Sequence, residues 1–228
     1  LDHRLYQLAV DQLSGPQVAL ALLLNWHTLE TEKNARDLLA RLRGIPAFVD
    51  QYIANLTEGV AEGRTSWRTA CDRVVTQIRV FLATEPELSA YGRAVAKSPA
   101  LRDELLAAVS DGVYPAFAKL LGFLEGSYAP VARTEPGLWS IPGGEALYAE
   151  LVRHVTQSER TPEEIHAIGL QDLGRIHDEL RSLGVADIRQ HAAALKADAA
   201  HFFDSRQGIV DAAQAMVERA QAALPRWF

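Results

Sequence analysis

The chain has 228 residues and a net charge of −6, with 48% hydrophobic and 23% charged residues. That acidic balance excludes a surface built to neutralise phosphates, and with it a nucleic-acid partner. The composition is that of a globular chain long enough to bury a core, and the longest apolar run, Val18 to Leu24, falls far short of the roughly 18 residues of a membrane span.

The periodicity is helical almost throughout, which predicts an all-α, irregular multi-helix bundle of about eight to ten helices without significant sheet. An apolar helix ends near Asn25-Trp26-His27, a triplet that either lines a pocket or closes the helix on a half-buried aromatic. Thr31 is placed to cap a helix carrying Leu38, Leu39 and Leu42 that ends at Gly44. A new helix is then expected from Pro46, with Phe48, Val49, Tyr52, Ile53 and Leu56 on its face and Gly59 and Gly63 near its stop. Thr65 or Ser66 opens the next, which presents Val74, Val75, Ile78, Phe81 and Leu82. Residues 84–98 read as loop with some helix. Ser98-Pro99 reads as a helix start, and Pro115, preceded by Gly112, predicts a kink or break within that helix.

Residues 129–144 hold three prolines and three glycines, a candidate sub-lobe boundary within one helical domain spanning 1–228. Further helices are expected over about 144–156, 162–183, 187–197 and 205–223. The sole cysteine, Cys71, excludes an internal disulfide and a thiolate metal cluster, and reads as a small buried hydrophobe. Met216 is the only methionine, so Leu1 is expected to be a processed or trimmed end. A Trp227-Phe228 terminus suggests that more chain normally lies beyond it.

Chemistry-bearing motifs are sparse. The seven histidines form no His-Glu-x-x-His helix. Glu163 with His166 and Asp198 with His201 are acid-x-x-His pairs, which suit either a di-metal bundle or simple stabilisation of exposed helix faces. Glu163 and Glu164, after Thr161-Pro162, also suit a helix N-terminus. No Gly-x-Ser-x-Gly elbow occurs. The stretch Ile141 to Tyr148 (IPGGEALY) is the most pointed feature. Gly143-Gly144 allows close approach of a ligand to free helix-start N–H groups; a tight entry turn into a helix is the simpler account and the favoured one.

Several segments in order carry a family resemblance: YQLAVDQL (6–13), NARDLLARLRGIPAFVDQYIANL (34–56), VYPA (113–116), PGGEALY (142–148) and TPEEIHAIG (161–169). Together they resemble a bacterial family catalogued as domain of unknown function 885, whose members are similar to all-helical zinc metallopeptidases of the gluzincin type. The resemblance implies full-length proteins more than twice this length. Their zinc would be held by a motif resembling His-Glu-x-x-Pro-Gly-His-His and a later glutamate, in a C-terminal half absent from this sequence. It implies no catalytic residue, cofactor or metal ligand in this chain. Residues 1–228 would supply one wall of a cleft for a peptide-like substrate, with Gly143, Gly144 and Tyr148 nearest to it and Arg43 and Gln51 as further candidates. Against that, Arg43 in a last helical turn would complement the dipole, and Tyr148 would serve as packing. A free-standing helical binding or scaffolding module is the alternative. Surface left by a missing half would favour a homo-oligomer. The compartment is left open: cytoplasmic is favoured, secreted or periplasmic allowed.

Overall fold

The computed structural model describes residues 3–98 and 100–227. The expectations on Leu1, Pro99 and Phe228 therefore lie outside the described residues. The chain is all-α and divides into two compact units, Leu1–Ser158 and Glu159–Phe228. Segment 129–144 lies inside the first of them. Among the described residues there is no strand, only an isolated bridge between Trp67 and Arg133.

The first unit is ordered around α2 (Glu32–Ala61), α3 (Arg68–Leu82) and a run made of α5 (Arg102–Ala108) and α6 (Tyr114–Phe123). The short helices α1 (Pro16–Leu23) and α4 (Ala90–Val95) pack beside them, and α7 (Gly144–Thr156) closes the unit. Thr31 caps α2 as its position predicts. Its hydroxyl accepts from the Asn34 amide, while the Asn34 side chain accepts from the Thr31 amide.

The expected break at Gly44-Pro46 does not occur, and α2 is one helix of 30 residues with Pro46 inside it. A proline forfeits one ladder bond. Here, though, Leu42, Ile45 and Val49 bury one continuous stripe across it, and that packing outweighs the missing bond. Gly59 stays helical and buried because a side chain there would overlap the Gln7 carbonyl; Gly63, at φ 70°, forms the turn beyond the helix.

Pro115 does not break its helix either. A π turn, Val109–Val113, immediately precedes it, and a second, Leu124–Tyr128, comes after α6. The wider turn leaves room for the ring where an α-turn would clash. These turns also solve a register problem. Leu105, Val109, Val113 and Phe117 recur every fourth residue, as do Leu120, Leu124 and Tyr128, and all are buried. In a pure α-helix each such step drifts by about 40°. The π turns take more residues per revolution and return the stripe to one face. By length and composition the run Arg102–Val131 passes as long and apolar enough to cross a membrane, its most apolar 18-residue window having a mean hydropathy of 1.2, although no unbroken apolar stretch announces it. Its apolar stripe is packed inside the first unit, against α2 and α3.

On α3, Cys71, Val74, Val75 and Ile78 face that same core. Burial pushes the Cys71 thiol up to about 11, as expected for an inert hydrophobe. Phe81 joins the rings of Tyr91, Tyr114 and Phe117 at centroid distances of 5.6, 4.6 and 5.2 Å. Helix α3 starts later than expected, because Thr65 and Ser66 are buried and bonded elsewhere. The Ser66 hydroxyl donates toward the Leu8 and Val10 carbonyls, and its amide donates to the Tyr128 hydroxyl at 2.6 Å.

The second unit holds α8 (Pro162–Ser182), α9 (Ile188–Ala197) and α10 (Arg206–Ala223), close to their expected limits. Thr161 and Glu164 form a capping box on α8, and Asp187 and Ser205 cap α9 and α10. None of the described residues of this unit is buried, although its helices carry Leu173, Ile176, Leu195, Ile209, Val210 and Val217.

Candidate functional site

The IPGGEALY stretch lies at the entry to α7. Ile141 and Leu147 are buried and anchor the turn. Gly143 has φ 69°, a left-handed conformation that only glycine adopts without cost. Gly144 is buried and tight, since a Cβ there would overlap the Leu138 carbonyl oxygen. The two glycines thus have separate reasons, one conformational and one steric. No side chain caps the first turn of α7.

Arginines hold the preceding loop by its carbonyl groups. Arg133 donates to the carbonyls of Thr65 (2.9 Å), Glu135 (2.7 Å) and Gly137, and to the Ser140 hydroxyl (3.2 Å). Arg64 reaches the His3 carbonyl at 2.9 Å and the Pro142 carbonyl at 3.4 Å. The Trp67 indole donates to the Thr134 carbonyl at 3.1 Å. The burial that makes Arg133 such a fixture also lowers its pKa. On this platform stand two exposed aromatic rings. Trp139 meets Tyr148 edge-on at 6.5 Å, and they are 60% and 41% exposed. Gly143, Gly144 and Tyr148 are therefore brought together. Trp139 joins them, and residue patterning misses it; a tryptophan three residues before a Pro-Gly-Gly turn is the signal that was available.

Arg43 and Gln51 do not join this group. Both lie on α2, whose far end meets Pro142 through Arg64. Gln51 is about 18 Å and Arg43 about 30 Å along the helix from Gly63, at about 1.5 Å per residue. Arg43 is mid-helix rather than in a last turn, so the dipole argument for it fails; it stands 4.0 Å from Glu104. Gln51 donates to Asn55 one turn on, at 2.9 Å.

Of the acid-histidine pairs, Glu163 lies in the first turn of α8, and Asp198 caps the turn holding its exposed neighbour His201, whose Nε2 is 3.6 Å from its carboxylate. Among the described residues no group of three His, Cys, Asp or Glu side chains is placed to hold a metal. What the platform offers is exposed aromatic surface beside a glycine turn.

A family model described as "Bacterial protein of unknown function (DUF885)" matches residues 1–228. The chain belongs to DUF885. No curated protein matches it. Among solved structures, the DUF885 chain is similar to "the putative lipoprotein from Colwellia psychrerythraea", with a TM-score of 0.83 at 22% identity. The match covers 96% of this chain and 40% of that one, so the fold seen here is shared with a part of a larger protein.

Proposed function

We propose that this DUF885 chain is the N-terminal helical region of a longer metallopeptidase-like protein and forms one wall of a peptide-binding cleft. One observation carries the reading: nearly all of this chain matches only 40% of a larger solved chain, so its fold has a counterpart that is part of something bigger. The Pro142–Tyr148 turn and Trp139 make the lip, their main chain fixed by Arg64 and Arg133. Rigid support of this kind suits binding, since little conformational freedom is left to lose.

The zinc implied by the family resemblance does not fit the described residues of this chain, which assemble no donor set. No catalytic step is therefore assigned to them. The 228-residue chain alone is expected to hold well under one equivalent of zinc and to leave peptides intact. Stoichiometric zinc, or hydrolysis abolished by a chelator, would overturn this division of labour. The apolar helix faces of the second unit favour a partner surface, whether the remainder of a longer chain or a second copy. The lipoprotein description of the Colwellia protein favours an extracytoplasmic location.

A further inference from the structure

A pocket of about 280 Å³ opens between α1 and α2, away from the aromatic platform. Leu20, Leu23 and Leu24 wall one side; Leu38, Leu42 and Ile45 wall the other. Its floor is the main core, since Leu38 and Leu42 are each 1% exposed, while Leu23, at 46%, stands at the mouth. The walls are wholly aliphatic, and the polar groups that line it are His27 and Arg41.

Those two are cationic or able to become so. Arg41 is exposed and makes no hydrogen bond or ion pair among the described residues. The acid nearest it on the same helix, Asp37, is bonded to Lys33 at 2.7 Å, and its carboxyl is held below its ordinary value by that bond first and by the charges of His27 and Arg41 in smaller measure. Glu30 and Lys97 line an adjoining hollow that shares Leu24 and His27, and their charges offset each other. The His27 Nε2 donates to the Asn34 carbonyl at 2.8 Å, because a carbonyl can only accept. That bond fixes which ring nitrogen carries the hydrogen.

We propose that this pocket binds a small aliphatic monocarboxylate of the medium-chain fatty-acid class, its chain among the leucines and its carboxylate at Arg41 with His27 beside it. The size argues for a small ligand, since the volume lies at the lower end of ligand sites. The aliphatic lining argues for a saturated chain. A guanidinium that makes no hydrogen bond among the described residues, at the rim of an otherwise apolar hollow, argues for an anionic head.

The test is calorimetric titration of the 228-residue chain with decanoate and 1-decanol, both below the concentration at which they aggregate. One decanoate per chain is expected to bind, at least tenfold more tightly than decanol. Arg41→Gln, at an exposed position, should weaken decanoate at least tenfold and leave decanol unchanged. Leu23→Trp should block both, and circular dichroism confirms that each variant is folded. The apolar faces of the second unit would take up both ligands without regard to Arg41, so the Arg41 dependence separates the two modes. Absence of saturable decanoate binding, equal binding of decanol, or an unaltered affinity in Arg41→Gln would each overturn the proposal.

Discussion

Gly143 and Gly144 are neighbours with different duties. An alanine at Gly143 has open space but keeps a positive φ, which costs about 1 to 2 kcal/mol. At Gly144 it would overlap the Leu138 carbonyl, and the turn must move, costing about 3 kcal/mol or more. Urea unfolding of the two variants should therefore separate them clearly, and equal losses would contradict the geometry. Buried tyrosines set a second expectation. Desolvation raises the pKa values of Tyr52, Tyr91 and Tyr128, the last to about 12, and lifts Cys71 from 9.0 to about 11. Above pH 9 to 10 the unfolded chain loses these protons while the folded one keeps them, so stability falls as pH rises. The loss should begin near pH 9 and continue through pH 12, on the order of 2 kcal/mol for Tyr128 alone. A urea midpoint that stays flat from pH 8 to pH 12 would refute it. Residue patterning singled out Gly143 and Gly144, and the family resemblance Tyr148; neither pointed to Arg133 or Trp139. Their roles depend on loop carbonyls and a ring that meet only in three dimensions.

Elements were legible where a capping residue opened an amphipathic run. Thr31, Thr161, Asp187 and Ser205 each mark a helix start by a side-chain bond to a nearby amide, and all four act as caps in the structure. Replacing Thr31 by alanine should cost about 1 kcal/mol, read from the urea midpoint, because the Asn34 amide at the α2 start loses its partner. An unchanged midpoint would mean that α2 is held by its buried stripe alone. Pro46 and Pro115 were misleading for the complementary reason. Local chemistry marks each as a breaker, but the apolar positions on both sides of each proline belong to one buried face. The cost of continuing the helix is local, whereas the gain is collective and sits on other helices. No reading of one segment at a time reveals it, and π turns have no dependable local signature.

At the scale of the whole molecule, the two units differ in how they are stabilised. The first has a continuous core that runs from Val10 to Ala132. Helices α8, α9 and α10 have good caps but contribute no buried residue among those described. Caps and helical propensity alone leave helices of this length marginal. Hydrogen exchange should accordingly show strong protection in α2, α3 and the run 102–131, and exchange at least a hundredfold faster in α8 to α10. Matching protection in both units would show that the second has found cover in solution. The helical class and the limits of these last helices were plain from periodicity, because amphipathic spacing is written locally. Which apolar faces lack a cover was not, since spacing alone does not distinguish a filled face from an empty one.

The π turns also govern what this chain tolerates in length. A π turn takes in one extra residue, so removing one residue within Val109–Val113 would leave an α-helix whose later positions keep their face. Phe117, Leu120 and Leu124 would still meet the core, and the Tyr128 hydroxyl would stay by the Ser66 amide. The strain would fall on Pro115, whose ring loses the room that the wider turn gives it. The same deletion within α3, which has no such turn, would swing every later core position by about 100°.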